Sequence, residues 1–435
     1  METHASPQVR VLCARISEQA GRPVAVQGWV HAVRRLGRLA FVHVRDRSGI
    51  VQCVLEGELA DTPLSPESVV SVTGVAALAD KAPGGVEIRA ETVACIAASA
   101  PLPFEINKKT IPARLDTQLD HRVLSLRHPK VNATFRIQSA LAGAFRDYLR
   151  RRGFMQIFTP KIVASGTEGG SNLFPVDYFG RQAYLAQSPQ FYKQMMVGAG
   201  YERVFEIAPV YRAEEHHTSR HLNEYVSLDA EMGFIRSEEE LMELEQDMLR
   251  DMLETVAAEC GAELALLGVD VVPPGDIPRI PVAEAQRILQ RKYGKTSPKG
   301  DLDPEGERLI CKHVAEEGKP AFVFITRYPR DIRPMYAMPA PEDETLTASF
   351  DLIFNGLEIT TGGQRIHDYD RLVASMLGRG LNPDHFAGYL DVFRYGMPPH
   401  GGFAIGLERL TSRLLGQPNV REASAFPRDR MRLTP

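Results

Sequence analysis

The chain has no C-x-x-C pair. Its five cysteines, at positions 13, 53, 95, 260 and 311, are scattered, so neither a zinc site nor a disulfide framework is indicated. No apolar run reaches the length that spans a bilayer, and the N-terminus lacks the apolar stretch of a secretory signal. A cytoplasmic, reduced protein without membrane contact is expected. Neither charge is in excess: 51 Lys and Arg against 55 Asp and Glu leave a net charge of −4. Nucleic-acid binding therefore cannot rest on global charge and needs local basic patches. No GxxxxGK followed by Ser or Thr occurs, so nucleotide chemistry would have to use cations other than a P-loop lysine. Tandem repeats and low-complexity segments are missing too. What remains is an ordinary globular composition, 44% hydrophobic and 24% charged over 435 residues, long enough for two or three domains with sizeable cores.

Residues 23–97 read as short alternating strands: VAVQGWVHAV, LAFVHVRD, GIVQCVLEG, SVVSVTGVAAL and GVEIRAETVACI. Gly37, Ser48-Gly49 and Pro83-Gly84-Gly85 separate them. Five such strands with no long helix between them suggest a small β-barrel of the OB type, though strand count alone favours a generic β-domain. Residues 98–130 are Pro-rich and irregular and read as a hinge, with Lys108 and Lys109 as solvated linker charges. Residues 131–152 predict a helix: Phe135, Leu141, Phe145 and Leu149 recur near helical spacing, Arg150, Arg151 and Arg152 crowd its C-terminal end, and Gly153 stops it. The strand FMQIF then leads to Pro160. Residues 237–260 predict an amphipathic helix whose acidic run marks a solvated face. Residues 261–320 read as a small insertion with one or two helices and no assignable chemistry. The expected organisation is an α+β multidomain chain: a barrel over 1–105, a hinge over 106–130, and a domain built on an antiparallel sheet over 131–435.

The segments with chemical content lie in that last domain. PVYRAEEHHTSRHLNEYVSLDAEM (209–232) and GGFAIGLERL (401–410) each place one arginine, Arg212 and Arg409, where a strand or helix meets a polar loop. A single R-x-E is usually no more than an exposed ion pair. After the first loop the residues alternate, with Tyr225, Ser227, Asp229 and Glu231 on one face; Tyr225 could stack on a base or simply pack at a strand edge. In FDLIFNGLEITTGGQR (350–365), Asn355-Gly356 predicts a type I′ hairpin turn. That turn pairs Phe354 with Leu357, Ile353 with Glu358 and Asp351 with Thr360, making Asp351 and Glu358 diagonal neighbours. Such carboxylates most often lie on a solvated face. Here the apolar flanks, and Arg365 after a Gly-Gly break, favour a buried floor able to take Mg²⁺ with phosphate oxygens. In AQSPQFYKQMM (186–196), Ser188 reads as a helix N-cap with Pro189 at the first helical position, which sets Gln190 and Lys193 on one face. That pair suits a small carboxylate; a capped surface helix is the plain alternative. The Gly-rich GTEGGSNLF (166–174) reads as a flexible loop of the kind that closes on ligands.

With these pieces in place, the chain resembles the aspartyl-tRNA synthetases of class IIb over nearly its whole length, in their compact archaeal-type form. The resemblance is carried by GWVHAVRRLGRLAFVHVRDRSGIVQ, QSPQFYKQ, YRAEEHHTSRHLNE, GLEITTGGQR and GLERL. It makes the 209–232 and 401–410 segments motifs 2 and 3 of the class and the 131–160 helix and strand motif 1, a homodimer element. It implies ATP-dependent transfer of aspartate to tRNA through an aspartyl-adenylate. Arg212 would bind the α-phosphate and the aspartate α-carboxylate; Glu214, His221, Tyr225, Glu358, Gly406 and Arg409 would complete the ATP site. Asp351, Glu358 and Thr361 would hold Mg²⁺. Lys193 and Arg365 would clamp the substrate's side-chain carboxylate, and Glu168, Gln190, Asp229 and Thr361 would position the rest. In the barrel, Phe41 would stack on an anticodon base and Gln52 would bond the middle uracil, where pattern alone would put Phe41 in the core. His31, at the end of the first strand, and Pro83 would face the third anticodon base.

The form of the family further implies charging of both tRNA-Asp and tRNA-Asn, with a tRNA-dependent amidotransferase as a further partner. The alternatives are a ligase restricted to tRNA-Asp, an asparaginyl- or lysyl-tRNA synthetase, an amide ligase and a non-catalytic RNA-binding paralogue. The asparaginyl alternative is disfavoured because Lys193 and Arg365 would stand buried and unpaired against a neutral amide.

Overall fold

In the computed structural model, which describes residues 9–166, 172–215, 218–316, 318 and 321–434, the chain divides into two units, Met1–Arg114 and Leu115–Pro435. In the first, five strands close into a barrel: β1 (Pro23–Leu36), β2 (Leu39–Arg45), β3 (Ile50–Glu56), β4 (Val69–Leu78) and β5 (Val86–Ala97), in the order β1-β2-β3-β5-β4. The two-residue side-chain period turns Val26, Val42, Val44, Val51 and Val72 inward to form the core. The same period turns Phe41, His43 and Gln52 outward, so Phe41 is half-buried on the surface and not in the core. The first strand is longer than its apolar pattern suggests. It continues to Leu36, which pairs with Leu39 across Gly37-Arg38, and the register slips at His31. His31 is thus a mid-strand bulge residue and not a strand end.

The second unit is built on an eight-stranded sheet. Its strands are β6 (Met155–Gln156), β7 (Arg203–Tyr211), β8 (Glu224–Gly233), β9 (Arg279–Pro281), β10 (Phe322–Thr326), β11 (Ser349–Phe354), β12 (Leu357–Arg365) and β13 (His400–Gly406). The order is β9-β10-β11-β12-β13-β8-β7-β6, antiparallel through the centre, with parallel pairs only at the two edges. Two long helices, α1 (Pro129–Arg151) and α3 (Glu239–Glu259), cover one face. Leu141, Phe145, Met248 and Met252 from these helices pack on Phe205, Leu228, Phe350 and Phe403 from the sheet. With one face sealed this way, most polar residues at alternate strand positions reach the other face; Thr360, beside Glu245, is an exception. Between β6 and β7 lies the short helix α2 (Gln190–Met196).

The expected hinge is only partly irregular. Residues Leu115–Asp120 and Arg122–Ser125 are helical and belong to the second unit. Arg122 is buried there and donates to the carbonyls of Ala425 (2.9 Å) and Ser424 (2.8 Å). These carbonyls lie about 300 residues away in sequence, so a local reading could not find the contact.

Residues 261–320 hold more structure than expected. A turn of helix, Gly261–Leu267, precedes β9 and two further helices, α4 (Val282–Tyr293) and α5 (Pro304–Glu316). Leu289, Ile310 and Val314 of α4 and α5 pack on Val323, Ile325 and Ile353, closing the open end of the sheet. The acidic helix α3 also departs from expectation. Glu245 is fully buried beneath the sheet beside Thr360, and neither carboxyl oxygen has a well-aligned hydrogen-bond partner. Burial pushes this carboxyl up to about 8, against an ordinary value of 4.5. Below pH 4.5 the folded and unfolded chains both carry the proton. As pH rises toward 8 the unfolded chain loses it first, and stability falls. Glu245→Gln is therefore expected to stabilise the protein at pH 9, on the order of 1–3 kcal/mol for a buried polar group without a partner, and to have much less effect near pH 5. Urea melts at the two pH values test this; an equal shift at both would show that charge is not the cause.

Candidate functional site

The open face of the sheet carries two adjoining cavities, both lined by Arg212, Tyr225, Ser227, Thr361 and Ala404. Strand alternation in β8 explains the chemistry of this floor. Tyr225, Ser227 and Asp229 line the cavities, with Glu231 buried on the same side, while Leu228, Ala230 and Met232 face the helices.

The first cavity lies at the end of the sheet where β13 runs into helix α6 (Leu407–Leu414) at Gly406. Arg212 follows directly on β7, its amide N–H bonded to the Asn223 carbonyl at 2.9 Å and its guanidinium 5.9 Å from the centre of the Tyr225 ring. Arg409, in the first turn of α6, donates to the Glu358 carbonyl at 3.0 Å and sits 3.6 Å from its carboxylate. Glu214 and His221 line the same cavity, the His221 Nδ1 lying 2.7 Å from the Thr218 hydroxyl. Glu408, which the sequence reading passed over, is buried. Its carboxylate accepts from the Val226 N–H, and burial raises it to about 7. It ties α6 to the middle of β8 and so sets where Arg409 begins.

The hairpin β11–β12 turns at Asn355-Gly356, with φ of 46° and 76° as a type I′ turn requires. Phe354 pairs with Leu357 and Ile353 with Glu358, but Asp351 pairs with Thr361 and not with Thr360. A bulge at Ile359 inserts the extra residue. Its effect is to bring Thr361, and not Thr360, to the face of Glu358; the Thr361 hydroxyl donates to the Glu358 carboxylate at 3.1 Å. Asp351 is buried, with Oδ2 held by Arg333 at 2.7 Å and Oδ1 lacking a well-placed donor. Burial pushes this carboxyl up; Arg333 opposes the shift and Glu358 adds to it. Two carboxylates and a hydroxyl are the oxygen donors that Mg²⁺ takes, and the free Asp351 oxygen fits such an ion. Among the described residues no group of three or more His, Cys, Asp or Glu forms a metal site, so phosphate and water would have to complete the shell.

The second cavity, of about 800 Å³, is lined by Gln190, Lys193, Asp229, Arg333 and Arg365. The Ser188 hydroxyl accepts from the Gln190 N–H at 3.3 Å, but the helix opens one residue later than expected, with Pro189 at the N-cap. Lys193 and Arg365 are both buried, and neither stands without a counter-charge. The Lys193 ammonium lies 3.0 Å from Asp229 and 3.2 Å from Glu231. Arg365 lies 3.3 Å from Glu231 and donates to the Gly402 carbonyl at 3.1 Å. This corrects the argument that a neutral ligand would leave two cations unpaired, because two carboxylates already balance them. Glu231 is the residue missed. Burial would raise it, but Arg365 and Lys193 reverse the effect and hold it below its ordinary range. Gly402 has to be glycine here, since a Cβ would come within 2.2 Å of the Glu231 carboxylate. Behind Glu231, Gln194 bridges the Tyr389 hydroxyl and His400. Burial lowers His400 to about 4, so its imidazole is neutral. Glu168 lies outside the described residues.

The outer face of the barrel is a second candidate surface. The Gln52 amide is held between His43 (3.3 Å) and Glu87 (3.0 Å), two residues from the half-buried Phe41 on β2. His31 Nδ1 lies 3.0 Å from the Arg45 guanidinium, which in turn pairs with Glu67 at 2.7 Å. Pro83 is exposed in the turn before β5.

A cavity edged by two arginines, an adjoining charged pocket and a five-stranded barrel suit an enzyme that activates a small acid and reads a nucleic acid. Comparison with known proteins makes this specific. Residues 114–430 match the family described as tRNA synthetases class II (D, K and N), and residues 24–96 match the OB-fold nucleic acid binding domain. The chain belongs to the class II tRNA synthetases of this group. It is 53% identical to the aspartate–tRNA(Asp/Asn) ligase of Thermus thermophilus over 98% of this chain and 100% of that one. It is 44% identical to the aspartate–tRNA(Asp) ligase of Thermococcus kodakarensis over 96% and 97% of the two chains. Among solved structures it is similar to an asparaginyl-tRNA synthetase from Pyrococcus horikoshii complexed with asparaginyl-adenylate, with a TM-score of 0.92, 32% identity, and coverage of 98% and 100%.

Proposed function

We propose that this chain is an aspartate–tRNA ligase that forms aspartyl-adenylate from L-aspartate and ATP and then esterifies tRNA. The observation that carries the reading is the pair of adjoining cavities. One is edged by Arg212 and Arg409, and the other ends in Lys193 and Arg365. Tyr225 and Arg409 take the adenine between them, with Gly406 beneath, and Glu214 and His221 reach the triphosphate. Asp351, Glu358 and Thr361 would hold Mg²⁺, which when bound offsets charge on the phosphates. An α-carboxylate oxygen of aspartate attacks the α-phosphorus, and pyrophosphate leaves. Arg212 contacts both reactants, so positioning and electrostatics dominate and no protein nucleophile is needed. The terminal ribose hydroxyl of tRNA then attacks the acyl carbon, and AMP leaves. Glu168, Gln190 and Asp229 position the amino acid.

The charge balance around Lys193, Arg365, Asp229 and Glu231 favours one rival, an asparaginyl enzyme, because a neutral amide leaves no net charge behind. Aspartate- against asparagine-dependent ATP–pyrophosphate exchange tests the two. Exchange with aspartate alone is expected, and exchange with asparagine alone would overturn the reading.

We further propose a cytoplasmic homodimer joined through residues 131–160. Met155 and Phe158 are left exposed beside Pro160, Phe158 at 84% of its full surface, and such apolar side chains favour a partner. Sedimentation velocity is expected to give a dimer of about twice 48.3 kDa; a fully active monomer at assay concentration would exclude it. The RNA partners are tRNA-Asp and tRNA-Asn. Aspartate on tRNA-Asn is a mischarged product, which calls for a tRNA-dependent amidotransferase downstream.

A further inference from the structure

Helix α5 of the 261–320 segment does not line the nucleotide cavity itself, but its Glu307 holds two residues that do, Arg220 and Glu358. Glu307 lies in its first turn with its side chain 9% exposed. One carboxylate oxygen, Oε2, makes two contacts. It accepts the backbone N–H of Glu358 at 2.8 Å, and it pairs with Nη2 of Arg220. Arg220 sits in the tail of the loop between β7 and β8 and lines the nucleotide cavity beside His221. Its other terminal nitrogen, Nη1, is buried with no hydrogen-bond partner. The helix is seated firmly against the hairpin: a Cβ at Gly356 would come within 2.8 Å of the Arg308 side chain and 3.0 Å of its Cα.

Electrostatics alone would not keep Arg220 where it is. Arg409 and Arg413 lie close by, and Arg413 is lowered by burial and then by Arg220 itself. A guanidinium at the end of a polar loop, facing two others, needs an anion to stay. Glu307 is the anion that the fold supplies.

We propose that Glu307 is a positioning residue of the nucleotide site: it holds Arg220 against the Glu358 strand so that Nη1 meets a terminal phosphate oxygen of the bound nucleotide. The inference rests on the reading of this cavity as the ATP site. It gives the 261–320 segment a part in nucleotide binding, since Arg220 is held from that segment.

The test is ATP–pyrophosphate exchange with full-length wild-type, Glu307→Gln, Glu307→Asp, Arg220→Ala and Glu307→Gln/Arg220→Ala proteins. Wild-type exchange comes first, because its absence with every amino acid would refute the ATP-site reading itself and separates that failure from failure of the present proposal. The glutamine is isosteric and can still accept the Glu358 N–H, so it removes the charge pairing alone. Loss of an orienting partner of this kind typically costs 10–100-fold. Glu307→Gln and Glu307→Asp are each expected to raise the KM for ATP about tenfold or more, with the KM for aspartate within about twofold of wild type. The double variant is expected to be no worse than Arg220→Ala alone. A wild-type KM for ATP in folded Glu307→Gln would overturn the proposal, as would multiplicative effects in the double variant. If the glutamine variant does not fold, the same criterion applies to Glu307→Asp.

Discussion

Replacing Arg365 by leucine is expected to remove nearly all aspartate activation while leaving ATP binding close to normal. Arg365 is buried at the end of β12, stacked 5.2 Å from the centre of the Tyr336 ring and tied to Glu231, Gln190 and the Gly402 carbonyl. A carboxylate entering the pocket meets Arg365 and Lys193 in competition with Glu231 and Asp229, and only the two cations together give it a favourable site. Truncating one partner of a buried charge pair costs about 2–5 kcal/mol, or roughly thirty- to several-thousand-fold in kcat/KM. Part of that loss is the penalty of leaving Glu231 with Lys193 as its one remaining close cation. The KM for ATP separates a loss confined to the aspartate pocket from wider damage, because the nucleotide cavity does not include Arg365. A raised KM for aspartate with an unchanged KM for ATP is the expected split. If Arg365→Leu activates aspartate as well as wild type does, the carboxylate clamp is not at this residue.

Why some of this site is legible in the sequence and some is not comes down to the range of the interactions. Asn355-Gly356 specifies its turn locally, and the alternation in β8 specifies which side chains share the floor. The bulge at Ile359 is not local. It is set by pairing of β12 with β11 on one side and β13 on the other, so counting outward from the turn pairs Asp351 with the wrong threonine. Glu231 was placed on the polar face correctly, but its partner Arg365 is 134 residues away and no periodicity reports it. Arg220 and Glu307, 87 residues apart, escaped for the same reason, and with them the contribution of the 261–320 segment. Glu245 reversed the usual rule, since it sits in an acidic amphipathic helix yet points into the sheet. In the barrel, the apolar run LAFVHV hid Phe41 among core residues, and only the paired strands show that its side chain faces out.

The barrel carries the last expectation: tRNA-Asp and tRNA-Asn are charged with kcat/KM values within about tenfold, roughly 1.4 kcal/mol, of each other. Their anticodons, GUC and GUU, share the first two bases. We propose that Phe41 and Gln52 address that shared part, in which case neither discriminates. Phe41→Ala is expected to lower charging of both tRNAs equally, by the ~1–3 kcal/mol that stacking one base contributes, and to leave ATP–pyrophosphate exchange untouched. Discrimination must come from what faces the third base, where cytosine offers an amino donor and uracil a carbonyl acceptor. Arg45 is always a donor, so His31 Nδ1 accepts from it and a neutral imidazole carries its proton on Nε2. A donor at Nε2 finds an acceptor on either pyrimidine, since both carry the O2 carbonyl. On the other side, Pro83 has no N–H that could select between them, and it stiffens the turn. We propose that both positions tolerate either base. A preference for tRNA-Asp of a hundredfold or more, roughly 2.7 kcal/mol in transition-state terms, would mean a discriminating enzyme and would leave His31 and Pro83 without this role. An unequal loss on the two tRNAs in Phe41→Ala would show that Phe41 senses the third base after all.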